Sequence, residues 1–521
     1  MLNDPSQFTA HLMNYLLEYL AIHIIIITVL IILNLKRITG QFKSIRKKTW
    51  AILLLILIFG FYLRLSSGIT FQPSHEIEWE YSSFAKHIVE EGQVPLFVHP
   101  YGYTFLLSII FRLFEANILS VFFFNLIIGS LSIILMFLFC YSLFRRNSIA
   151  LVSAFMLAIL PKHIYFSRVG ASENLWVFFA LLTLTSLVLS IKINNLKIYF
   201  LTFSLFAYLG EIKTESLALI VIFVIYFFLN RKKVSFSKIL IASSLLILLC
   251  LPVSYWYVKH EDFQFIINKT IGFEIFKFAQ DSQYPSLNNQ WSLLENSGAF
   301  VITLLKTKYH SIIFLIAFIV SFIKLKKYIK KFILLVSFIA ITTTIYSVSL
   351  FPNAERYFVM LYIGMVPLAG LGINVLINTI SGLNLHKHRK MIGIIFILLL
   401  LLSTFSLKEL FNPREKFYNS QYTDINDIIR AEKKLDKNAT IICCGWMKHC
   451  EFILPHREVK TIGQDPIVLS KDRDAFYIRS IHEQKSGCDP KRLNWFNMIF
   501  NMSYPQKLNI YTHLRIFKIE Q

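Results

Sequence analysis

The sequence predicts an all-α polytopic membrane protein of about twelve spans, with a small C-terminal α/β domain outside the membrane. Three observations carry this. The chain of 521 residues is 55% hydrophobic and only 16% charged, where a soluble domain carries roughly 25% charged residues. Its mean hydropathy is +0.56, and several apolar runs approach or exceed the roughly 18–20 residues that cross a bilayer. From about residue 411 the composition turns polar.

The formal net charge is +22, from 53 Lys and Arg against 31 Asp and Glu. Such a balance would suit nucleic acid, but its placement argues against that partner. The basic residues form short tufts between apolar runs: Arg46-Lys47-Lys48, Arg145-Arg146, Lys192 with Lys197, Arg231-Lys232-Lys233, Lys324 to Lys331, and His386 to Lys390. This is the bias that holds short loops in the cytoplasm, so no nucleic acid is expected. The first apolar run, about 13–35, is too long for a signal-peptide core and is followed, not preceded, by basic residues. It reads as a retained anchor.

The expected spans are 13–35, 49–66, 117–142, 148–166, 173–191, 197–211, 215–230, 239–257, 309–324, 331–348, 357–378 and 390–407. With the tuft at 43–48 inside, every other tuft falls on the same side, provided that 100–115 does not cross. That segment, PYGYTFLLSIIFRLFE, is short and carries Arg112 and Glu115 near its end. It suits a helix lying in the outer interface. The loops 67–116 and 258–308 are then outside. The second is aromatic and amphipathic, which suits either a cover over a site or an ordinary interfacial loop.

Asn412-Pro413 ends the last span. Thr423 or Asp424 then opens a helix-like run to 436 as its N-cap, and strands are expected at 439–443 and near 508–518. The chain divides into an N-terminal anchor helix and cytoplasmic linker (1–48), a membrane domain (49–410) and an outer α/β domain (411–521). Cys443, Cys444, Cys450 and Cys488 lie in that tail. An oxidising compartment allows two bridges there, with the pairing open. No inverted repeat of broken helices is evident in the sequence, which disfavours a secondary transporter.

The stretch 71–103, FQPSHEIEWEYSSFAKHIVEEGQVPLFVHPYGY, is the first long polar passage and holds Glu76, Glu78, Glu80, Glu90 and Glu91. In a chain poor in acids, such a cluster needs a reason. Ionisable residues at membrane depth are costly and tend to be functional. The outer ends of other spans carry Arg168 with Glu173, then Glu211, Lys213 and Glu215 in GEIKTES, then Glu355-Arg356 in PNAERY. The spans over 148–230 have very short outer turns, so these groups share one surface, where acids and bases would face an outward pocket. Each has a plainer alternative. Glu173 suits a helix N-terminus, Arg168 and Arg356 can snorkel to headgroups, Lys213 can pair with Glu211 or Glu215, and Tyr357 suits an aromatic belt.

Taken in order, these motifs resemble the GT-C glycosyltransferases of the protein O-mannosyltransferase and aminoarabinose-transferase type. Glu78-x2-Tyr81-x3-Ala85 with Gly92 matches the family's acidic first-loop motif. His99-Pro100-Tyr101-Gly102-Tyr103 matches the start of its interfacial helix. Pro161, Tyr165, Ser167-Arg168 and Glu173 match its next motif, Lys213 its basic outer turn, and Arg356-Tyr357 its late Arg-Tyr. The likeness covers roughly 49–378. It departs from the pattern where Ile77 precedes Glu78 and where one proline replaces two, which leaves Glu76 a competitor for the acid's role.

The resemblance implies a GT-C-like helical bundle that transfers a sugar from a polyprenyl or dolichyl phosphate to an acceptor protein, lipid or glycan, with inversion. The site would face away from the cytoplasm, across the plasma membrane in a prokaryote. Glu78 or Glu76 would be the base, with Glu173 assisting or orienting the acceptor. Lys213, Arg168 and Arg356 would meet the lipid phosphate, and His99, Tyr81 and Tyr357 the substrates. Membrane lipid surrounds the site. No cofactor follows, and a divalent metal stays open. Two rivals stand beside this reading. A transporter or flippase of lipid-linked sugars should carry polar residues at mid-span, whereas here they gather at one rim. A non-catalytic scaffold leaves that rim unexplained. The oligosaccharyltransferase branch fits less well, since the tail holds no Trp-Trp-Asp-type motif.

Overall fold

The computed structural model describes residues 5–66, 76–92, 100–259, 312–348 and 358–382, and four strands between 440 and 519. Helices account for nearly all of the rest: α1 (Pro5–Gly40), α2 (Lys47–Ser66), α3 (Glu76–Glu91), α4 (Gly102–Leu113), α5 (Ile118–Phe144), α6 (Asn147–Ile159) and α7 (Pro161–Phe166). After these come α8 (Ser172–Ile193), α9 (Leu196–Ile212), α10 (Ile220–Leu229), α11 (Phe236–Lys259), α12 (Ile312–Ser321), α13 (Ile329–Val348) and α14 (Phe358–Gly382). Among the described residues, five stretches are long and apolar enough to cross a membrane: Tyr15–Gly40, Lys47–Ser66, Leu119–Phe144, Ser172–Ile193 and Val359–Ile380. The chain is built as an integral membrane protein. Large side chains such as Ile25, Ile32, Leu54, Leu55, Leu240 and Leu248 are exposed on α1, α2 and α11. Such an apolar surface calls for hydrocarbon rather than water. The expected span 390–407 and the loop 258–308, apart from its first two residues, lie outside the described residues.

Local chemistry sets the helix ends. α5 and α8 each stop at a residue in the left-handed region, Arg145 (φ 56°) and Asn194 (φ 48°). Their backbone N–H groups bond Tyr141 O and Ser190 O, the usual way to close a helix before a tight turn. Asn117 and Asn195 cap the starts of α5 and α9, accepting from Ser120 N at 2.9 Å and Lys197 N at 3.1 Å.

The basic tufts meet at one end of the bundle. Arg37 donates to Asn195 Oδ1 at 3.5 Å, Arg145 to Gln41 O at 2.9 Å, Lys238 to Asn194 O at 2.7 Å and Lys330 to Leu229 O at 2.5 Å. Lys192 donates to Ser142 O. Several of these acceptors are carbonyls at helix C-termini, where a cation is favoured by the helix dipole.

Two local features differ from the sequence expectation. The polar passage before 92 forms helix α3, which buries Tyr81, Ala85 and Ile88; spacings of four and three residues put them on one face. The expected span 148–166 is broken at Leu160, because Pro161 offers no N–H to the ladder and instead begins the short α7.

The strands β1 (Thr440–Cys444), β2 (Val459–Ile462), β3 (Ala475–Ser480) and β4 (Leu514–Ile519) form one sheet in the order β2-β1-β3-β4. β1 runs parallel to β2 and β3, and β4 is antiparallel to β3, with Tyr477 opposite Phe517. The expected helix at 423–436 lies outside the described residues. Cys443 and Cys444 fall on β1, and Cys450 and Cys488 lie outside the described residues.

Candidate active site

At the end opposite the basic tufts, α3, α4, α5, α8 and α9 are tied together by polar groups. Tyr81 of α3 packs edge-on against Tyr103 of α4, with ring centroids 5.1 Å apart. The Tyr103 hydroxyl accepts from Asn125 Nδ2 of α5 at 2.8 Å. The carbonyl of Asn125 accepts from Asn174 Nδ2 of α8 at 2.7 Å. The residue before Asn174 is Glu173, whose Oε1 accepts from Lys213 Nζ at 2.9 Å. Glu173 and Lys213 are buried, at 3% and 7% exposure. Just beyond Lys213, Ser216 accepts from Trp176 Nε1 at 2.5 Å.

The start of α4 is pressed onto the end of α9. Tyr208 donates its hydroxyl to Gly102 O at 3.0 Å. A Cβ on Gly102 would stand 2.7 Å from Glu211 O, closer than backbone can yield, so the approach needs glycine. Glu211 is itself buried, and its Oε1 accepts from Tyr19 of α1 at 3.3 Å.

Arg168 sits in the turn after α7, fully buried, with its N–H on Tyr165 O at 3.0 Å. Beside this turn lies Arg64, near the end of α2 and also fully buried. Its Nε donates to Ser167 Oγ at 3.1 Å, its Nη1 to Gly60 O at 2.6 Å and Ala158 O at 3.1 Å, and its Nη2 to His163 Nδ1 at 2.6 Å. Arginine can only donate, so His163 is neutral with its proton on Nε2. Ser167 lies over Gly129 of α5, where an added Cβ would come within 2.1 Å of its hydroxyl.

The structure thus brings Tyr81, Arg168, Glu173 and Lys213 to one end of the bundle. Glu76 and Glu78 stand in the first turn of α3, just before Tyr81. His99, Arg356 and Tyr357 lie outside the described residues. Lys213 pairs with Glu173, forty residues earlier in sequence, a partner that neighbour-based reasoning did not supply. Arg64 and His163 were missed as well. The available signal was an ionisable residue at the end of an apolar run. Among the described residues, no three His, Cys, Asp or Glu side chains converge as metal ligands.

Residues 98–256, which hold Arg168, Glu173 and Lys213, match the family model described as Dolichyl-phosphate-mannose-protein mannosyltransferase. A curated relative, dolichyl-phosphooligosaccharide-protein glycotransferase 2 of Archaeoglobus fulgidus, is 29% identical over 156 residues, 26% of this chain and 26% of the relative. The chain therefore matches about a quarter of that relative's length. Among solved structures, ArnT from Cupriavidus metallidurans bound to undecaprenyl phosphate has a TM-score of 0.55 at 10% identity, covering 91% of this chain and 98% of the other. The Archaeoglobus fulgidus oligosaccharyltransferase in the apo form gives 0.52 at 11% identity, covering 85% and 70%. At these identities the structural likeness is one of fold. Family model, curated relative and solved folds all fit the GT-C superfamily, the one that the order of motifs in the sequence resembles.

Proposed function

We propose that the chain is a membrane glycosyltransferase that moves a sugar from a polyprenyl or dolichyl phosphate to a protein, lipid or glycan outside the cytoplasm, with inversion. The observation that carries the reading is the chain of contacts from Tyr81 through Tyr103, Asn125 and Asn174 to the Glu173–Lys213 pair. It joins the helix that bears Glu76 and Glu78 to the end of the bundle that bears Arg168. The membrane domain would be 49–410, with the anchor at 1–48 before it and an outer α/β domain at 411–521 built on the four-stranded sheet. The basic end would lie in the cytoplasm.

In this reading Glu78, or Glu76 in its place, takes the proton of the acceptor hydroxyl or amine as that group attacks the anomeric carbon. The bond from the anomeric carbon to the phosphate oxygen breaks, and the lipid phosphate leaves with the electron pair. Arg168 and Arg356 stabilise its growing charge. Lys213 is already neutralised by Glu173, so it offers the phosphate a hydrogen bond rather than a net charge. Glu173 holds that ammonium in place and orients the acceptor, while His99, Tyr81 and Tyr357 contact the substrates. A lipid-linked monosaccharide needs no nucleotide at the site, which suits a reaction outside the cytoplasm.

The test supplies the purified protein with a panel of labelled polyprenyl-phosphate sugars and follows release of polyprenyl phosphate. Release from at least one donor supports the proposal. A protein that moves the intact donor between leaflets of a vesicle without cleaving it would instead be a flippase.

A further inference from the structure

Arg64 is a buried cation whose hydrogen-bond partners among the described residues are all neutral: one hydroxyl, one imidazole and two carbonyls. Four of its N–H groups are occupied by these bonds, out of about five that a guanidinium offers. It has little left with which to grip a ligand. Burying such a charge is expensive, so it must act on the protein around it.

All its distant partners belong to one segment. Ala158 O lies just before the break at Leu160, where Pro161 leaves the preceding carbonyls short of donors. His163 is in α7 itself. Ser167 takes the Nε–H of Arg64 and gives its own proton to His163 O at 2.5 Å. Ser167 is thereby fixed in both of its roles, and the next residue is Arg168.

We propose that Arg64 is a positioning residue whose planar fork locks the break between α6 and α7 and so aims Arg168 at the donor phosphate. The proposal rests on the glycosyltransferase reading, in which Arg168 meets that phosphate. A lysine keeps the charge of Arg64 but is a single point donor that cannot span these acceptors. Charge and shape are therefore separable.

The experiment compares wild type, Arg64→Lys, Arg64→Gln, Ser167→Ala, Arg168→Gln and the double variant Arg64→Lys/Arg168→Gln. Three readouts are taken: kcat/KM for the polyprenyl-phosphate sugar, binding of undecaprenyl phosphate alone, and hydrogen exchange over 158–171. Arg64→Lys is expected to lose as much kcat/KM as Arg64→Gln, at least about tenfold, with a matching loss of undecaprenyl phosphate binding. Its exchange over 158–171 should quicken. The double variant should be no worse than Arg168→Gln by more than about twofold, since the two residues act through one contact. Ser167→Ala, which removes one of the four bonds of Arg64 together with the hydroxyl's own bond to His163 O, should give a smaller change of the same kind should the Arg64 variants fail to fold.

Near-wild-type function in Arg64→Lys, additive losses in the double variant, or unchanged exchange would overturn the proposal. A wild type that cleaves no donor would sink the glycosyltransferase reading instead. In that case, loosened exchange with weakened undecaprenyl phosphate binding would still support the clamp, and loosened exchange with unchanged binding would overturn it.

Discussion

The ammonium of Lys213 lies 2.9 Å from Oε1 of Glu173, and both side chains are buried. The pair fastens the residue that ends α9 to the first turn of α8. Breaking a buried pair by removing one partner costs about 3–5 kcal/mol, whereas removing both costs less. Glu173→Gln and Lys213→Met should each lower the melting temperature of the purified protein. The double variant should melt above either single one.

Gly102→Ala tests the seating of α4. The new methyl would stand 2.7 Å from the carbonyl oxygen of Glu211, and backbone cannot step aside cheaply. A loss of about 1–3 kcal/mol is expected, together with lower transfer activity. Gly40→Ala, where nothing lies within 4 Å, serves as the control and should melt like wild type.

α1 is held by polar contacts rather than by lipid alone. Tyr19 donates to Glu211 at 3.3 Å, the Nε2 of His23 lies 3.0 Å from Ser204 O, and Asn34 donates to Lys197 O at 3.2 Å. Tyr19→Phe removes a hydroxyl shared between buried Glu211 and the carbonyl of Leu249 and should cost about 1–3 kcal/mol, read as a lower melting temperature.

The two ends of the bundle should lie on opposite sides of the membrane. Glu90 and Arg145 are both exposed, one on α3 and one at the basic end. In a background without other cysteines, a membrane-impermeant maleimide should label Glu90→Cys on intact cells. It should reach Arg145→Cys only after permeabilisation.

Much of the fold was legible because apolar runs in a membrane protein must be helical. The segments 117–142, 173–191 and 197–211 are helical as expected, in α5, α8 and α9, with ends shifted by one or two residues. A helix is expected within 100–115, and α4 lies there. The polar residues of α3 make its sequence read as loop, although Tyr81, Ala85 and Ile88 carry a helical period. Pro161 lies inside the span expected at 148–166 and breaks it, and nothing local says that Arg64, far away in sequence, secures that break. The partner of Lys213 was hidden for the same reason. Two acids close by in sequence looked available, and the one used comes from the neighbouring helix. Motif order was readable along the chain; pairing across helices was not.

The most direct measurement is release of polyprenyl phosphate from a labelled polyprenyl-phosphate sugar by wild type, Glu78→Gln and Glu76→Gln. A carboxylate that serves as general base contributes about 10²–10⁴-fold, so one of the two variants should lose activity on that scale while still binding the donor. Release that survives both substitutions would contradict the account, because no carboxylate of the first turn of α3 would then be carrying the proton.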